Sequence, residues 1–289
     1  MKNVKKYWKL TLLITIFLIG VLGIYVACFE LRDEVMEIYF FDLDRGRSIF
    51  IRTPHNQTIL IDGGQNSQIM RELTKILPFY RRRIDTIIVT NSFPKNVGGL
   101  SEVVRRYEVG KIVAPALMGT STALEVFEKV VADKKLLVEK VMREDRLEID
   151  GIGFEVLFPV SSFKYNKTSR PELVLNISHN SRNILLLGDV SKTIQKSLIP
   201  ALGQADLIEY AHSAGDSRTS GDLFEKLSPK YAIIKKQIRA SSIRVLKNPP
   251  KKPSFNIDKQ IGTEVINLET DGNAKFILDE IGISTPHLK

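Results

Sequence analysis

The chain is expected to form one α/β domain of two mixed sheets flanked by helices, preceded by a single N-terminal membrane helix. Three observations predict this class: a charge-free apolar run near the N-terminus, strand and helix signals that alternate as far as residue 137, and a later series of short β-type segments. With 289 residues, 43% of them apolar, the chain can bury a sizeable core, which argues against disorder over its whole length.

The apolar run extends from Leu10 to Phe29 without a charged residue. In a helix it rises about 30 Å, the hydrocarbon thickness of a bilayer. Lys2, Lys5, Lys6 and Lys9 precede it, while Glu30, Arg32, Asp33 and Glu34 follow. Basic flanks stay in the cytoplasm. Residues 1–9 are therefore read as a cytoplasmic N-terminus and residues 10–29 as a single-pass signal anchor in the cell membrane, with the rest extracytoplasmic. A cleaved signal peptide is the alternative, but its apolar core is usually shorter, about 7–15 residues, and no small-x-small cleavage site stands out. Cys28 follows Val26 and Ala27 in a loose likeness to a lipoprotein site, yet Tyr25 stands where a small aliphatic residue is usual. As the only cysteine, Cys28 leaves the domain without an internal disulfide.

Beyond the run, Ile38, Phe40, Ile49 and Ile51 alternate as in strands, and Thr58-Ile59-Leu60-Ile61 leads into Asp62-Gly63-Gly64. Ser67 to Leu77 has helical spacing, Ile84 to Thr90 reads as a buried strand, and Gly98-Gly99 opens a helix through Tyr107. A strand at Lys111 to Ala114 and a helix from Thr122 to Leu137 follow. The later β-type pieces are Leu147 to Ile149, Phe154 to Phe158, Leu173 to Ser178, Ile184 to Leu187, Leu207 to Tyr210, Tyr231 to Ile234, Glu264 to Leu268 and Lys275 to Leu278. So many strands require two sheets. No repeat or linker divides residues 34–282, which are read as one domain.

The order and spacing of the turn motifs resemble the metallo-β-lactamase domain of ComEC-type DNA-uptake proteins over nearly all of residues 36–280. Phe40-Phe41-Asp42-Leu43-Asp44-Arg45-Gly46-Arg47-Ser48-Ile49-Phe50-Ile51 falls in the frame F-L-D-V-G-Q-G-D-S-I-L-I and keeps Asp42, Gly46 and Ser48. Leu60-Ile61-Asp62-Gly63-Gly64 matches L-I-D-G-G intact. Thr90-Asn91-Ser92-Phe93-Pro94-Lys95-Asn96-Val97-Gly98-Gly99 stands where the family has T-H-x-H-x-D-H-x-G-G, keeping Gly98 and Gly99. Leu185-Leu186-Leu187-Gly188-Asp189 matches L-L-x-G-D, and Ala211-His212-Ser213-Ala214-Gly215 approximates P-H-H-G-S. Glu264 to Asp279 resembles the closing hairpin. The resemblance implies an αββα sandwich with Asp189 at the position of a metal-bridging carboxylate.

In that family two ions would lower the pKa of a bound water. The ligand positions hold Asn91, Phe93, Lys95 and Asn96, leaving Asp189 and His212 as candidates, too few for a tight zinc site. No metal or other cofactor is expected. Lys95 is expected to supply the missing positive charge beside Asp189, with Asp62 a second candidate partner and Phe93 filling the vacated volume; a solvated loop lysine is the alternative. Asp62 is read as an Asx-type turn carboxylate or a residue of the old pocket. His212 is a relic ligand, a core histidine or a lone base, and surface roles are assigned to His55, His179 and His287. Ser213 and Ser217 lack an orienting acid and a nucleophile elbow.

The formal charge of +9 is accounted for between Lys226 and Ile257, which hold nine Lys or Arg and no acid. Lys230, Lys235, Lys236, Arg239, Arg244, Lys247, Lys251 and Lys252 are the candidates for binding a polyanion, with single-stranded DNA suggested by the resemblance. Anionic lipids or wall polymers would satisfy the same charges, and a merely solubilising face is the plainer alternative. Arg81-Arg82-Arg83 are read as closing the preceding helix. Two functions stay open. One is an inactive pseudoenzyme that binds or scaffolds, with a protein partner in a DNA-uptake or envelope complex. The other is a nuclease or phosphodiesterase with zinc or manganese at a site remodelled around Asp189 and His212.

Overall fold

Strands buried on both faces read as unbroken apolar runs, because each residue packs on one side or the other of the sheet. Thr58–Ile61 and Tyr231–Ile234 are of this kind, every residue buried. The computed structural model describes residues 4–30, 35–160, 171–209, 220–235 and 262–285, with the side chains of the first helix described for residues 7–24.

The described strands are β1 (Met36–Phe40), β2 (Ile49–Arg52), β3 (Thr58–Ile61), β4 (Arg83–Ile88), β5 (Glu108–Pro115) and β6 (Val138–Val141), then β7 (Arg146–Ile149), β8 (Ile152–Phe158), β9 (Val174–His179), β10 (Arg182–Leu186), β11 (Leu207–Glu209), β12 (Tyr231–Ile234), β13 (Glu264–Asn267), β14 (Ala274–Leu278) and β15 (Ile283–Ser284). Among the described residues they form an eight-stranded sheet, ordered β15-β14-β1-β2-β3-β4-β5-β6, and a seven-stranded one, ordered β13-β12-β11-β10-β9-β8-β7. Both sheets are mixed. β3 to β6 run parallel while β1 is antiparallel to both neighbours, and β10 to β13 run parallel while β9 is antiparallel to β10.

Alternation along each strand then sorts side chains into three cores. Ile59, Ile61, Ile88, Ile184, Leu186 and Phe276 meet between the sheets. Leu60, Ile87 and Ile112 face outward to Ile69, Leu73, Leu100, Val104 and Phe127, which lie on helices Gln68–Ile76, Leu100–Arg106 and Thr122–Asp133. Leu185, Ile208 and Ala232 face Leu198, Leu223 and Phe224 on helices Lys192–Leu198 and Gly221–Leu227. The result is helix, sheet, sheet, helix. Ser121, Ser191 and Ser220 cap three of these helices by accepting from the N–H groups of Leu124, Ile194 and Leu223.

The structure departs from the sequence reading in three places. Glu264 to Asp279 is no hairpin: β13 pairs with β12 in the second sheet and β14 with β1 in the first, with the short helix Leu268–Asp271 between them. Thr122 begins a helix that stops at Asp133, and Val138–Val141 adds an edge strand whose mostly exposed residues gave no strand signal. His179 is not on the surface. It is 9% exposed in β9, and its Nε2 has no hydrogen-bond partner among the described residues.

The sheets have two distinct ends. β1 begins where β2 ends, and β3, β4 and β5 begin at that same end, with Glu37 opposite Arg52, Arg52 opposite Thr58 and Arg83 opposite Glu108. We refer to this as the lower end. The turns after β3 and β4, and the ends of β10 and β11, form the upper end. Helix Val4–Glu30 precedes the domain; within it Tyr7–Ile24 has mean hydropathy 2.0, long and apolar enough to cross a membrane.

Phe276 stands between the sheets, 5.9 Å from the ring of Phe40 and 5.2 Å from that of Tyr231. Replacing it by alanine is expected to cost about 3–5 kcal/mol in denaturant unfolding. Phe79→Ala, at a position 91% exposed, should leave stability unchanged within roughly 0.5 kcal/mol.

Candidate functional site

The upper end gathers an unusual density of charge around Arg47, which is only 12% exposed. Arg47 sits in the loop between β1 and β2. That loop is pinned in place, because the Gly64 N–H donates to the Arg47 carbonyl (3.0 Å) and the Gln65 N–H to that of Arg45 (3.2 Å). Gly46, with φ +85°, lies so close to Lys95 that an added Cβ would fall 1.5 Å from its carbonyl oxygen. Only glycine can bring the two turns together there.

The guanidinium reaches four segments. Its Nε donates to Asp62 (3.2 Å), one terminal nitrogen to Glu209 (2.7 Å), and the other to the Thr90 hydroxyl (2.9 Å), with Glu172 Oε1 3.2 Å away. Burial works against its charge, but Glu209, Asp62 and Glu172 outweigh burial and hold it more firmly protonated than in water. Asp62 is fully buried in the left-handed region, φ +60°, where its carboxylate also accepts from the Thr90 N–H (2.9 Å) and hydroxyl (2.6 Å). Burial pushes its carboxyl up, opposed by Arg47 and Thr90.

Glu172, 4% exposed, accepts from the Asp189 N–H at 2.7 Å. Burial pushes its carboxyl up to about 8; Arg47 opposes the rise and the Asp189 charge adds to it. Gly188 makes this approach possible, since a Cβ there would fall 1.8 Å from Glu172 Oε1. The Gly188 N–H donates in turn to Glu209 (3.2 Å). Lys95 completes the arrangement. Its ammonium pairs with Asp189 and lies 5.5 Å from the centre of the Phe93 ring. No ion pair joins Lys95 to Asp62, whose cation is Arg47.

Asn91 and Asn96 are buried. Asn91 Oδ1 accepts from the Phe93 N–H (2.9 Å), and its Nδ2 has no partner among the described residues. Gly98 and Gly99 hold the turn, Gly98 donating to the Pro94 carbonyl and Gly99 to that of Gly64, both at 3.0 Å. Asp42 is engaged elsewhere, 3.5 Å from Lys235 Nζ. A dinuclear centre needs imidazole or carboxylate donors, whereas positions 91, 93, 95 and 96 offer two amides, a hydrocarbon ring and an ammonium that already holds Asp189. The residues present do not fit that centre. Among the described residues, no group of three or more His, Cys, Asp or Glu is disposed to hold a metal ion.

His212, Ser213, Ser217 and His287 lie outside the described residues, as do Lys236, Arg239, Arg244, Lys247, Lys251 and Lys252. Lys230 is exposed, its ammonium 5.0 Å from the Tyr231 ring centre and 3.3 Å from the Ile283 carbonyl. Lys235 turns inward to Asp42 and the Gly46 carbonyl, and burial pushes its ammonium down against the opposing charge of Asp42. His55 is exposed and pairs with Asp150 at 2.6 Å.

Sequence reasoning missed Arg47, Glu172 and Glu209. One signal for Arg47 was present: it stands at the second aspartate of the frame matched by residues 40–51, a reversal of charge. Glu209 was flagged only by being charged at the end of the apolar strand Leu207-Ile208.

The four layers and the turns at their upper end define a metallo-β-lactamase-fold domain. The metallo-beta-lactamase fold protein YhfI from Bacillus subtilis superposes with TM-score 0.51 at 14% identity, covering 69% of this chain and 85% of that one. A diphosphatase from the PhnP family gives 0.50 at 14% identity, covering 84% and 98%. No family model matches the chain. Within the fold, the domain is similar to a ComEC-type protein: ComE operon protein 3 of Bacillus subtilis (strain 168) is 24% identical over 217 residues, 68% of this chain. The chain spans 28% of that relative's length.

Removing the central cation leaves buried carboxylates without compensation. Arg47→Ala is expected to lower unfolding stability by about 3–5 kcal/mol. The pH dependence follows from Glu172, whose folded value of about 8 lies above its ordinary 4.5. Folding then favours the protonated carboxyl, so this contribution is complete below about pH 4.5 and is lost as pH rises through about 8. Melting temperatures across that window should fall for the native chain and fall less for Glu172→Gln.

Proposed function

We propose that this chain is a membrane-anchored, non-catalytic ComEC-type protein whose domain binds or scaffolds. The observation that carries the reading is the Arg47 guanidinium among Asp62, Glu172 and Glu209, joined by the Lys95 ammonium on Asp189. Chain-borne cations supply compensation that metal ions would otherwise supply, and the Lys95 ammonium already occupies the Asp189 carboxylate. The apolar helix Val4–Glu30 supports anchorage, single-pass with the domain extracytoplasmic, by its length and its basic N-terminal flank. A polyanion is the candidate ligand, single-stranded DNA first because of the ComEC likeness, held by the basic stretch that includes the exposed Lys230. A protein partner in an uptake or envelope complex belongs to the same reading. The hydrolase alternative requires zinc or manganese at Asp189 and His212, and the ammonium paired with Asp189 weighs against it.

Elemental mass spectrometry of the full chain in detergent, after exposure to zinc and manganese, is expected to find metal near zero per chain. One or two ions per chain would replace this reading with the hydrolase. Under the binding reading, the same preparation retains a single-stranded oligonucleotide with an affinity that weakens as salt rises.

A further inference from the structure

The lower end of the domain carries an exposed aromatic pair. Pro78 to Arg81 form a tight turn, with the Arg81 N–H donating to the Pro78 carbonyl at 2.9 Å, and its two corner residues are Phe79 and Tyr80, 91% and 75% exposed. The turn is braced from behind. Arg81 donates to the Asn56 carbonyl and lies 3.1 Å from Asp85, while Arg83 pairs with Asp85 and Glu108. Those contacts account for two of the three consecutive arginines. Arg82 is exposed and has no ion pair among the described residues. Helix Leu100–Arg106 ends beside the start of β5, so Arg105 and Arg106 lie at this same end, offset in part by Glu102.

Two large aromatic side chains mostly in water, with arginines nearby, form a candidate contact surface. The chain's own connectivity indicates which. The apolar helix ends at Glu30 and β1 begins at Met36, a gap that extended chain spans in at most about 22 Å. β1 begins at the lower end, and β4, which follows the Phe79 turn, lies three strands away, a lateral distance of about 14 Å. A bilayer that holds the helix therefore lies within reach of the turn. Arginine and aromatic side chains are the residues that settle at a lipid headgroup layer. A stacking platform for bases is the poorer fit, because the two rings are edge to face, 81° apart with centroids at 5.5 Å, each covering part of the other.

We infer that the Phe79–Tyr80 turn, with Arg82, Arg105 and Arg106, docks the domain onto an anionic bilayer surface and so holds the Arg47 end pointing away from it. The inference rests on the membrane-anchor reading above. From Arg83 to Thr90 the strand direction covers about 23 Å, so docking at the lower end with the strand along the bilayer normal sets the upper end about that far from the lipid. A domain on a loose tether would present all faces to the membrane in turn; one clamped by the turn presents a single face.

The test uses the full chain incorporated into vesicles containing lipid with a nitroxide near the glycerol backbone. The chain has one tryptophan, Trp8, within the apolar helix, so its quenching in the native protein reports whether the helix is in lipid. A Trp8→Phe, Phe79→Trp variant moves the reporter to the turn. Its emission is expected to shift to the blue and lose most of its intensity in vesicles rich in phosphatidylglycerol, with both changes reduced by Arg82→Glu. A quenched Trp8 with the Phe79→Trp reporter still behaving as a water-exposed indole overturns the docking inference while leaving the anchor intact. An unquenched Trp8 instead overturns the anchor reading. Equal quenching in vesicles of phosphatidylcholine alone overturns the role of the arginines. A reporter silent to lipid but quenched on adding a single-stranded oligonucleotide assigns the turn to nucleic acid and overturns the proposal.

Discussion

A guanidinium buried among carboxylates is the constraint around which the upper end of this domain is built. Arg47 spreads its donors over Asp62, Thr90, Glu172 and Glu209, residues that come from both sheets. Planarity suits the task, since the donors of an arginine point in fixed directions and can serve separate acceptors at once. Counting Asp189 and Lys95, four acids face two cations, so the site keeps an excess of negative charge that a retained proton on Glu172 relieves. Two glycines set the spacing. Gly46 lets the arginine loop meet the Lys95 turn, and Gly188 lets Glu172 come under the Asp189 N–H.

The two ends of the sheets have therefore been given opposite characters by ordinary topology. Parallel strands place their following turns at one end and the C-termini of the connecting helices at the other. At the upper end those turns converge on buried charge; at the lower end they leave Arg82, Arg105 and Arg106 in solvent beside two bare aromatic rings. Among the turns of the upper end, positions 91, 93, 95 and 96 carry two amides, a phenyl ring and an ammonium.

Much of the architecture was legible because local rules enforce it. Asp62-Gly63-Gly64 and Gly188-Asp189 mark turns that few other residues can make, since Asp62 and Gly188 both adopt positive φ. Doubly buried strands such as Thr58–Ile61 announce themselves as apolar runs. Val138–Val141 did not, because an edge strand open to solvent can carry Lys140 on its exposed face and Glu139, paired with Lys111, on the other. The two strands near the C-terminus were misread as a hairpin since nothing local distinguishes partners in one sheet from neighbours in sequence that join different sheets. Lys95 beside Asp189 could be reasoned from a carboxylate needing a counter-charge. The full Arg47 cluster could not, for Glu172 and Glu209 reach Arg47 only by the docking of the second sheet on the first.

That last property bears on how the domain comes apart. Arg47 and Glu209 are 162 positions apart and Lys95 and Asp189 are 94 apart, and each pair ties a turn of the first sheet to a strand end of the second. Neither bond can form before the sheets have met, so both belong to the late, slow part of folding that long sequence separation imposes. In the reverse direction, sliding one sheet from the other takes Glu172 and Glu209 away from Arg47, which keeps Asp62 and Thr90 of its own sheet. The contact between the two halves of the sandwich is thus electrostatic at the upper end as well as apolar between the sheets.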